Sequence, residues 1–315
     1  MRIMIYRRRS GRQYLPLVRE ALARRGIEAD VTACDAPEEA TAALPEAEVL
    51  LVWGLPPGLY GRAGRLRWVQ SIGAGVDDLL SDPSLSPNVP ITRVLGHFGP
   101  QIAEYVMAHL LAAAQDLRRA YELQKRRAWE PWEPGRLRGK CLGLAGIGQI
   151  GRVIARRAKA FELDVLGLSR GGGPSPDVDR AYGREELDEF LGHLDYLVIT
   201  LPLTPETRHL FGRAQFSRMK RGAWVVNVGR GPVIDTRALL EALQTGHLGG
   251  AVLDAHEVEP LPADHPLWDL SNVTVTPHIS GLSDPAQVAE FFAENVRRFL
   301  DGRPLNGLVD REKGY

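Results

Sequence analysis

The sequence predicts an α/β fold built on parallel sheets. Short apolar, β-type runs alternate with helical patterns along most of the chain, which is the order that strand–helix–strand units produce. A glycine-rich turn separates one such run from a helical pattern near the middle. At 315 residues, the chain fits two ordinary domains better than one.

In the first hundred residues the apolar runs are Ile3-Met4-Ile5-Tyr6, Val49-Leu50-Leu51-Val52-Trp53 and Trp68-Val69-Gln70-Ser71. Weaker runs stand at Asp30-Val31-Thr32 and Val89-Pro90-Ile91. A stripe of Leu15, Val18, Leu22 and Ala23 predicts a helix after the first strand. After Pro100, residues Ile102, Val106, Leu110, Ala114, Leu117 and Tyr121 recur at three- and four-residue spacing. This predicts one long helix opened by the proline. Trp129 to Gly135 then reads as a turn-rich linker.

Six further apolar runs follow the linker: Leu142–Ala145, Val165–Leu168, Tyr196–Ile199, Trp224–Val228, Ala251–Leu253 and Val273–Val275. The tail predicts a helix capped by Asp284 and opened by Pro285, with Val288, Phe292, Val296 and Phe299 facing the core.

Bulk properties exclude several classes. Thirty-nine basic and 39 acidic side chains leave a formal net charge of zero, so neither nucleic acid nor an anionic membrane is an expected partner. The two cysteines, Cys34 and Cys141, form no metal-ligand spacing. No metal site or disulfide framework is expected, and a reducing compartment fits. Met1 to Arg12 lacks the pattern of a secretory signal, and no apolar run approaches a bilayer span. A cytoplasmic location is therefore expected. The Arg7-Arg8-Arg9 run reads as a solvated loop.

Gly146-Ile147-Gly148-Gln149-Ile150-Gly151 follows a buried-type strand and precedes a helix and a second strand. In that context G-x-G-x-x-G binds a dinucleotide. The first glycine permits the turn, the second lets the backbone approach the pyrophosphate, and the third lets helix and strand pack closely. The N–H groups and dipole at the helix start, where Gln149 and Ile150 lie, hold the phosphates. The second strand ends Leu168-Ser169-Arg170, where NAD-binding units place a carboxylate for the ribose 2′-hydroxyl. A hydroxyl and a guanidinium suit a 2′-phosphate instead, so NADP(H) is preferred and NAD(H) remains possible. The alternative role for Arg170 is stacking on the adenine.

Three polar residues stand just beyond predicted strands: Arg230, Glu259 and His278. Open α/β sheets bind ligands at these carboxyl ends. His97, His109, His256 and His265 have no such company and read as loop or surface residues. Glu257 competes with Glu259, and the Glu-Pro-Leu context favours Glu259.

With these stretches the chain resembles the NAD(P)-dependent D-2-hydroxyacid dehydrogenase family. The resemblance is carried by Ser71 to Asp77, Ala103-Glu104-Tyr105-Val106, Gly146 to Gly151, Leu201 to Thr207, Asn227 to Gly231, Asp254 to Pro262, and Pro277-His278. Within the family it is most similar to glyoxylate/hydroxypyruvate reductases, through Leu168-Ser169-Arg170 and Val52 to Pro57.

The resemblance implies two Rossmann-like domains: a flavodoxin-like substrate domain and a six-stranded parallel dinucleotide-binding domain. The expected boundaries are 1–98 and 280–315 for the first and 99–279 for the second. It implies NADPH-dependent reduction of a small 2-oxo acid to the D-2-hydroxy acid by a homodimer. His278 would be the general acid, Glu259 its orienting carboxylate, and Arg230 the clamp on the substrate carboxylate. Backbone N–H groups of Ala74, Gly75 and Val76 would bind that carboxylate too. Asp254 would meet the nicotinamide carboxamide; Pro202, Thr207, Val228, Gly229, Arg230, His278 and Ser280 would line the cofactor groove. Trp53 would line the substrate pocket, or else pack on a loop as a strand-end aromatic. Trp132 would reach a partner subunit. A dinucleotide-sensing corepressor of the same fold is the alternative, against which the complete Arg230, Glu259, His278 set speaks.

Overall fold

The computed structural model describes residues 1–315. The chain divides into two compact units, Met1–His97 with Ser283–Tyr315, and Phe98–Leu282.

The first unit contains β1 (Arg2–Arg7), α1 (Tyr14–Ala23), β2 (Asp30–Cys34), α2 (Pro37–Ala43), β3 (Val49–Trp53), β4 (Trp68–Ser71), α3 (Asp77–Ser81) and β5 (Ile91–Thr92). Its five strands are all parallel in the order β2-β1-β3-β4-β5, which is the flavodoxin-like order. Central parallel strands are covered on both faces, which is why Ile3 to Tyr6 and Val49 to Val52 are unbroken apolar runs and fully buried. In α1 the buried side chains are Tyr14, Val18, Ala21 and Leu22, while Ala23 is exposed. The apolar stripe thus lies slightly N-terminal of the predicted one.

The second unit begins with α4 (Phe98–Gln115) and α5 (Leu117–Arg126). These replace the single long helix predicted from periodicity. The break is Asp116, which adopts a left-handed φ of 49° and caps α5 by accepting from the Arg119 N–H. Aspartate tolerates that conformation better than most side chains. Beyond the break the stripe is not core: Leu117 and Tyr121 are exposed. The helix also begins at Phe98, so Pro100 is its third residue, still in the first turn, where its missing N–H breaks no bond.

The strands of this unit are β6 (Cys141–Ala145), β7 (Asp164–Leu168), β8 (Arg180–Tyr182), β9 (Tyr196–Ile199), β10 (Trp224–Asn227), β11 (Gly250–Leu253) and β12 (Val273–Val275). Helices α6 (Gln149–Lys159), α7 (Leu187–Gly192), α8 (Arg213–Arg218) and α9 (Thr236–Gln244) connect them. The sheet has seven parallel strands rather than six, in the order β8-β7-β6-β9-β10-β11-β12. The seventh, β8, is a three-residue edge strand in which only Tyr182 is buried. An edge strand that short carries no apolar run for a sequence pattern to register. The strand order reverses between β6 and β9, which is where such sheets bind ligands. No helix of the chain is long and apolar enough to cross a membrane.

The last helix, α10 (Pro285–Leu300), belongs to the first unit and packs on α1. Asp284 caps it, accepting from the N–H groups of Ala286 at 2.8 Å and Gln287 at 3.3 Å. Its Phe292 stacks on Trp68 of β4 with ring centroids 5.3 Å apart. A buried polar chain runs beside that contact. Asn295 Nδ2 and Thr92 Oγ1 both donate to Gln70 Oε1, and Trp68 Nε1 donates to Thr92 Oγ1. Every member is satisfied, which is the condition for a polar network to belong in a core.

Candidate active site

The glycine turn closes the strand-order reversal. Gly146 has a φ of 104°, a region that L side chains rarely adopt, and its N–H donates to the Leu168 carbonyl at 2.9 Å. A Cβ there would stand 2.6 Å from Thr200 Oγ1, just beyond β9. The Thr200 hydroxyl in turn donates to the Gly146 carbonyl at 2.9 Å. At Gly151 a Cβ would lie 2.0 Å from the Gly146 carbonyl oxygen. Gly148 differs: no atom lies within 4 Å of a Cβ built there. The first and third glycines are therefore required by the protein's own packing, while the second faces open space. Gly148 is also the N-cap of α6, and no side chain caps that helix end. Open backbone at an uncapped helix N-terminus fits a pyrophosphate.

At the end of β7, Ser169 donates its N–H to the Tyr182 carbonyl. Arg170 is half exposed and pairs with Glu206 at 3.0 Å. Glu206 also pairs with Arg184 at 3.4 Å. No carboxylate stands beside Arg170 along the chain. Glu206 arrives there from the turn after β9, 36 positions away in sequence, and Arg184 arrives from the turn after β8. Nothing in the sequence signals that either side chain meets Arg170, although Glu206 lies within the Leu201–Thr207 stretch. The Pro202–Thr207 turn is self-contained: Thr207 Oγ1 donates to the Pro202 carbonyl at 2.7 Å and accepts from the Thr204 N–H at 2.8 Å. The Thr207 hydroxyl thus shapes the turn that carries Glu206.

Arg230, Glu259 and His278 come from the turns after β10, β11 and β12. His278 Nδ1 lies 3.0 and 3.1 Å from the two Glu259 oxygens. That hydrogen bond holds the imidazole pKa above its ordinary value, against burial and the nearby Arg230 charge. For Glu259, burial pushes its pKa up, but the bonds from His278 and from the His256 N–H outweigh it and hold the carboxyl below its usual range. Both shifts favour an imidazolium beside a carboxylate, and with Nδ1 turned to Glu259 the second ring nitrogen, Nε2, is left as the donor.

Arg230 is fixed by its own turn. Buried Asn227 accepts from the Gly229 N–H and donates to the Arg230 carbonyl, both at 3.1 Å, and the guanidinium donates to the Gly229 carbonyl at 3.0 Å. At Gly231 a Cβ would stand 1.9 Å from the carbonyl carbon of His256, so only glycine lets this turn press on the loop that carries Glu259. His256, expected as a loop or surface residue, is buried and lies 3.1 Å from the Thr276 carbonyl through Nε2. A carbonyl only accepts, so that nitrogen carries the proton.

Asp254 is 1% exposed. One of its oxygens accepts from Thr276 Oγ1 at 2.6 Å and from the Ile279 N–H at 2.8 Å; the other accepts from the Ser280 N–H at 2.9 Å. Burial raises its pKa, but the Ser280 and Thr276 side chains and the Ile279 and Ser280 N–H groups prevail and hold it low. The structure thus ties Asp254 to the backbone just after His278. Val228 extends β10 by donating to the Ile199 carbonyl.

In the first unit, the Trp53 ring lies on Gly73: a Cβ there would stand 2.2 Å from Cζ3 of the indole. Two candidates found separately, Trp53 and the Ala74–Val76 turn, are therefore neighbours. The Ala74 carbonyl accepts from Arg93 at 3.3 Å, a contact with no sequence signal. Trp132, in the linker, lies under Arg119, whose guanidinium carbon is 5.3 Å from the ring centroid.

This arrangement has known counterparts. Residues 107–280 match the profile of the D-isomer specific 2-hydroxyacid dehydrogenase, NAD binding domain. The chain belongs to the D-isomer specific 2-hydroxyacid dehydrogenase family. This dehydrogenase is 33% identical to the glyoxylate/hydroxypyruvate reductase A of Escherichia fergusonii over 276 residues, covering 85% of this chain and 88% of that protein. A D-isomer specific 2-hydroxyacid dehydrogenase family protein from Aeromonas salmonicida superposes with a TM-score of 0.89 at 38% identity, over 98% of both chains. An NADPH-dependent glyoxylate/hydroxypyruvate reductase from Sinorhizobium meliloti, solved with NADP and sulfate, superposes with a TM-score of 0.90 at 33% identity. That alignment covers 100% of this dehydrogenase and 99% of the other chain.

Proposed function

We propose that this dehydrogenase reduces a small 2-oxo acid of the glyoxylate/hydroxypyruvate type with NADPH, yielding the D-2-hydroxy acid where a stereocentre forms. The observation that carries the proposal is the Glu259–His278 pair, 3.0 Å apart on the sheet edge that also presents Arg230. A bound dinucleotide supplies the hydride to the carbonyl carbon. His278 donates its Nε2 proton to the carbonyl oxygen and is left neutral; in the reverse direction it takes that proton back. Glu259 keeps the imidazole charged and oriented until the proton leaves. Arg230 pairs its planar fork with the substrate carboxylate and polarises the reacting carbonyl. The N–H groups of Ala74, Gly75 and Val76 are assigned to that carboxylate as well, and Trp53 to limiting the size of the acid.

The preference for NADPH rests on Ser169 and Arg170 at the end of β7. The Arg170–Glu206 pair is half exposed, and such pairs are worth only about 0–1 kcal/mol, so a 2′-phosphate can take the place of Glu206 at little cost. The Sinorhizobium meliloti relative, crystallised with NADP, supports the same preference. We include a homodimer in the proposal; Leu117, Tyr121 and Trp129, on α5 and the linker, are exposed apolar residues that a partner would cover.

The test follows oxidation of NADPH and NADH with a panel of 2-oxo acids. Turnover of glyoxylate and hydroxypyruvate, with higher kcat/KM for NADPH, is expected. Failure to turn over any 2-oxo acid while dinucleotide binding is intact contradicts the proposal.

A further inference from the structure

His278 adopts a φ of 55°, in the left-handed region that non-glycine residues keep only when their surroundings hold them there. The holding group is Asp254, whose buried carboxylate accepts from the two N–H groups that follow His278, those of Ile279 and Ser280. Asp254 also accepts from the hydroxyl of Thr276 at 2.6 Å. Thr276 has a partner on a different element: Tyr105 of α4, whose hydroxyl lies 2.7 Å from Thr276 Oγ1.

The proton order along this chain is forced. An ionised carboxylate only accepts, so the single hydroxyl proton of Thr276 goes to Asp254. Thr276 Oγ1 must then accept from Tyr105, whose hydroxyl pKa burial pushes up to about 12, so the proton is in place. Each donor strengthens the next in such a chain. Thr276 also serves Glu259: its carbonyl accepts from His256 Nε2, and the His256 main-chain N–H donates to Glu259 Oε1 at 3.0 Å. One residue therefore supports both partners of the proton-donating pair.

We propose that Tyr105 is a positioning residue for proton transfer: acting through Thr276 and Asp254, its hydroxyl fixes the backbone turn that aims His278. This rests on His278 being the proton donor. Tyr105 lies on the helix that packs against α6, the helix that follows the glycine turn. The approach is close: a Cβ at Gly99 of α4 would stand 2.8 Å from Val153 of α6. Helix α4 thus touches the phosphate-side helix at one point and the His278 turn at another.

Tyr105→Phe removes the hydroxyl and keeps the ring, which packs on His109 with centroids 4.2 Å apart. A misaligned proton donor lowers kcat rather than dinucleotide affinity, and for a small displacement the expected loss is about tenfold. Exchange of the Ile279 and Ser280 amide protons should quicken in the same variant, independently of turnover. Thr276→Val breaks the chain at its next link, so it should reproduce the loss, and the double variant should be no worse than the more affected single one. Thr276→Val also provides both readouts should Tyr105→Phe fail to fold. Wild-type kcat with unchanged amide protection in these variants overturns the proposal, as do losses that multiply. If His278→Ala abolishes turnover while Tyr105→Phe is unaffected, the positioning role alone fails. If His278→Ala itself retains turnover, the proton-donor assignment fails, and amide exchange still decides whether Tyr105 holds the turn.

Discussion

At the scale of single residues, opposing forces set the charge of His278, the proposed proton donor. Burial and Arg230 favour neutral His278; the Glu259 hydrogen bond favours the charged form and prevails. Reduction needs the imidazolium, so kcat/KM for reduction should be flat below the raised pKa and fall as pH rises through it. Glu259→Gln removes the largest raising contribution. The falling limb should then move to lower pH, read from kcat/KM profiles of the two proteins; an unmoved limb would show that Glu259 does not tune the donor.

The same pair links stability to pH. The His278 contribution is complete below the unfolded value of 6.5 and is lost as pH rises through the raised folded value. The Glu259 contribution is complete above the unfolded 4.5 and is lost as pH falls through the depressed one. Both act fully between those values. Arg170 carries a separate prediction. If it binds the 2′-phosphate, Arg170→Ala should raise the KM for NADPH about tenfold, the loss of one charge-assisted contact, and leave that for NADH nearly unchanged. Equal changes for both cofactors would point to adenine stacking.

At the scale of elements, what was legible in the sequence depended on how local the determining physics was. The glycine turn was legible because its demands are local: Gly146 holds a φ that favours glycine, and Gly151 lies against the Gly146 carbonyl five residues before it. The α10 cap was legible because Asp284 and Pro285 act within one turn of themselves. Replacing Asp284 with Ala should cost about 1 kcal/mol, measurable as a lower denaturation midpoint. Periodicity over-extended α4, because a stripe cannot register a single left-handed Asp116. Strand β8 escaped because three edge residues bury only Tyr182. The contacts of Arg170 with Glu206, of Tyr105 with Thr276 and of His256 with the Thr276 carbonyl join residues at least 20 positions apart. Side-chain pairing over such distances leaves no periodic trace.

At the scale of the whole molecule, both sheets place their functional candidates beyond the carboxyl ends of parallel strands, and each does so through turns that packing forces to be tight. The proposed homodimer carries its own prediction: the protein should sediment as a dimer, and, with Tyr121 exposed and in the interface, Tyr121→Glu should shift it toward monomer. In the proposed reaction His278, charged by Glu259, protonates the oxygen of a 2-oxo acid. The most direct test of this role compares His278→Ala with the wild type for turnover of NADPH with glyoxylate and for NADPH affinity in the absence of acid. The expected result is a kcat lower by at least about a hundredfold, the range of general acid catalysis, with affinity preserved. Comparable losses in both quantities, or turnover that survives the substitution, would contradict it.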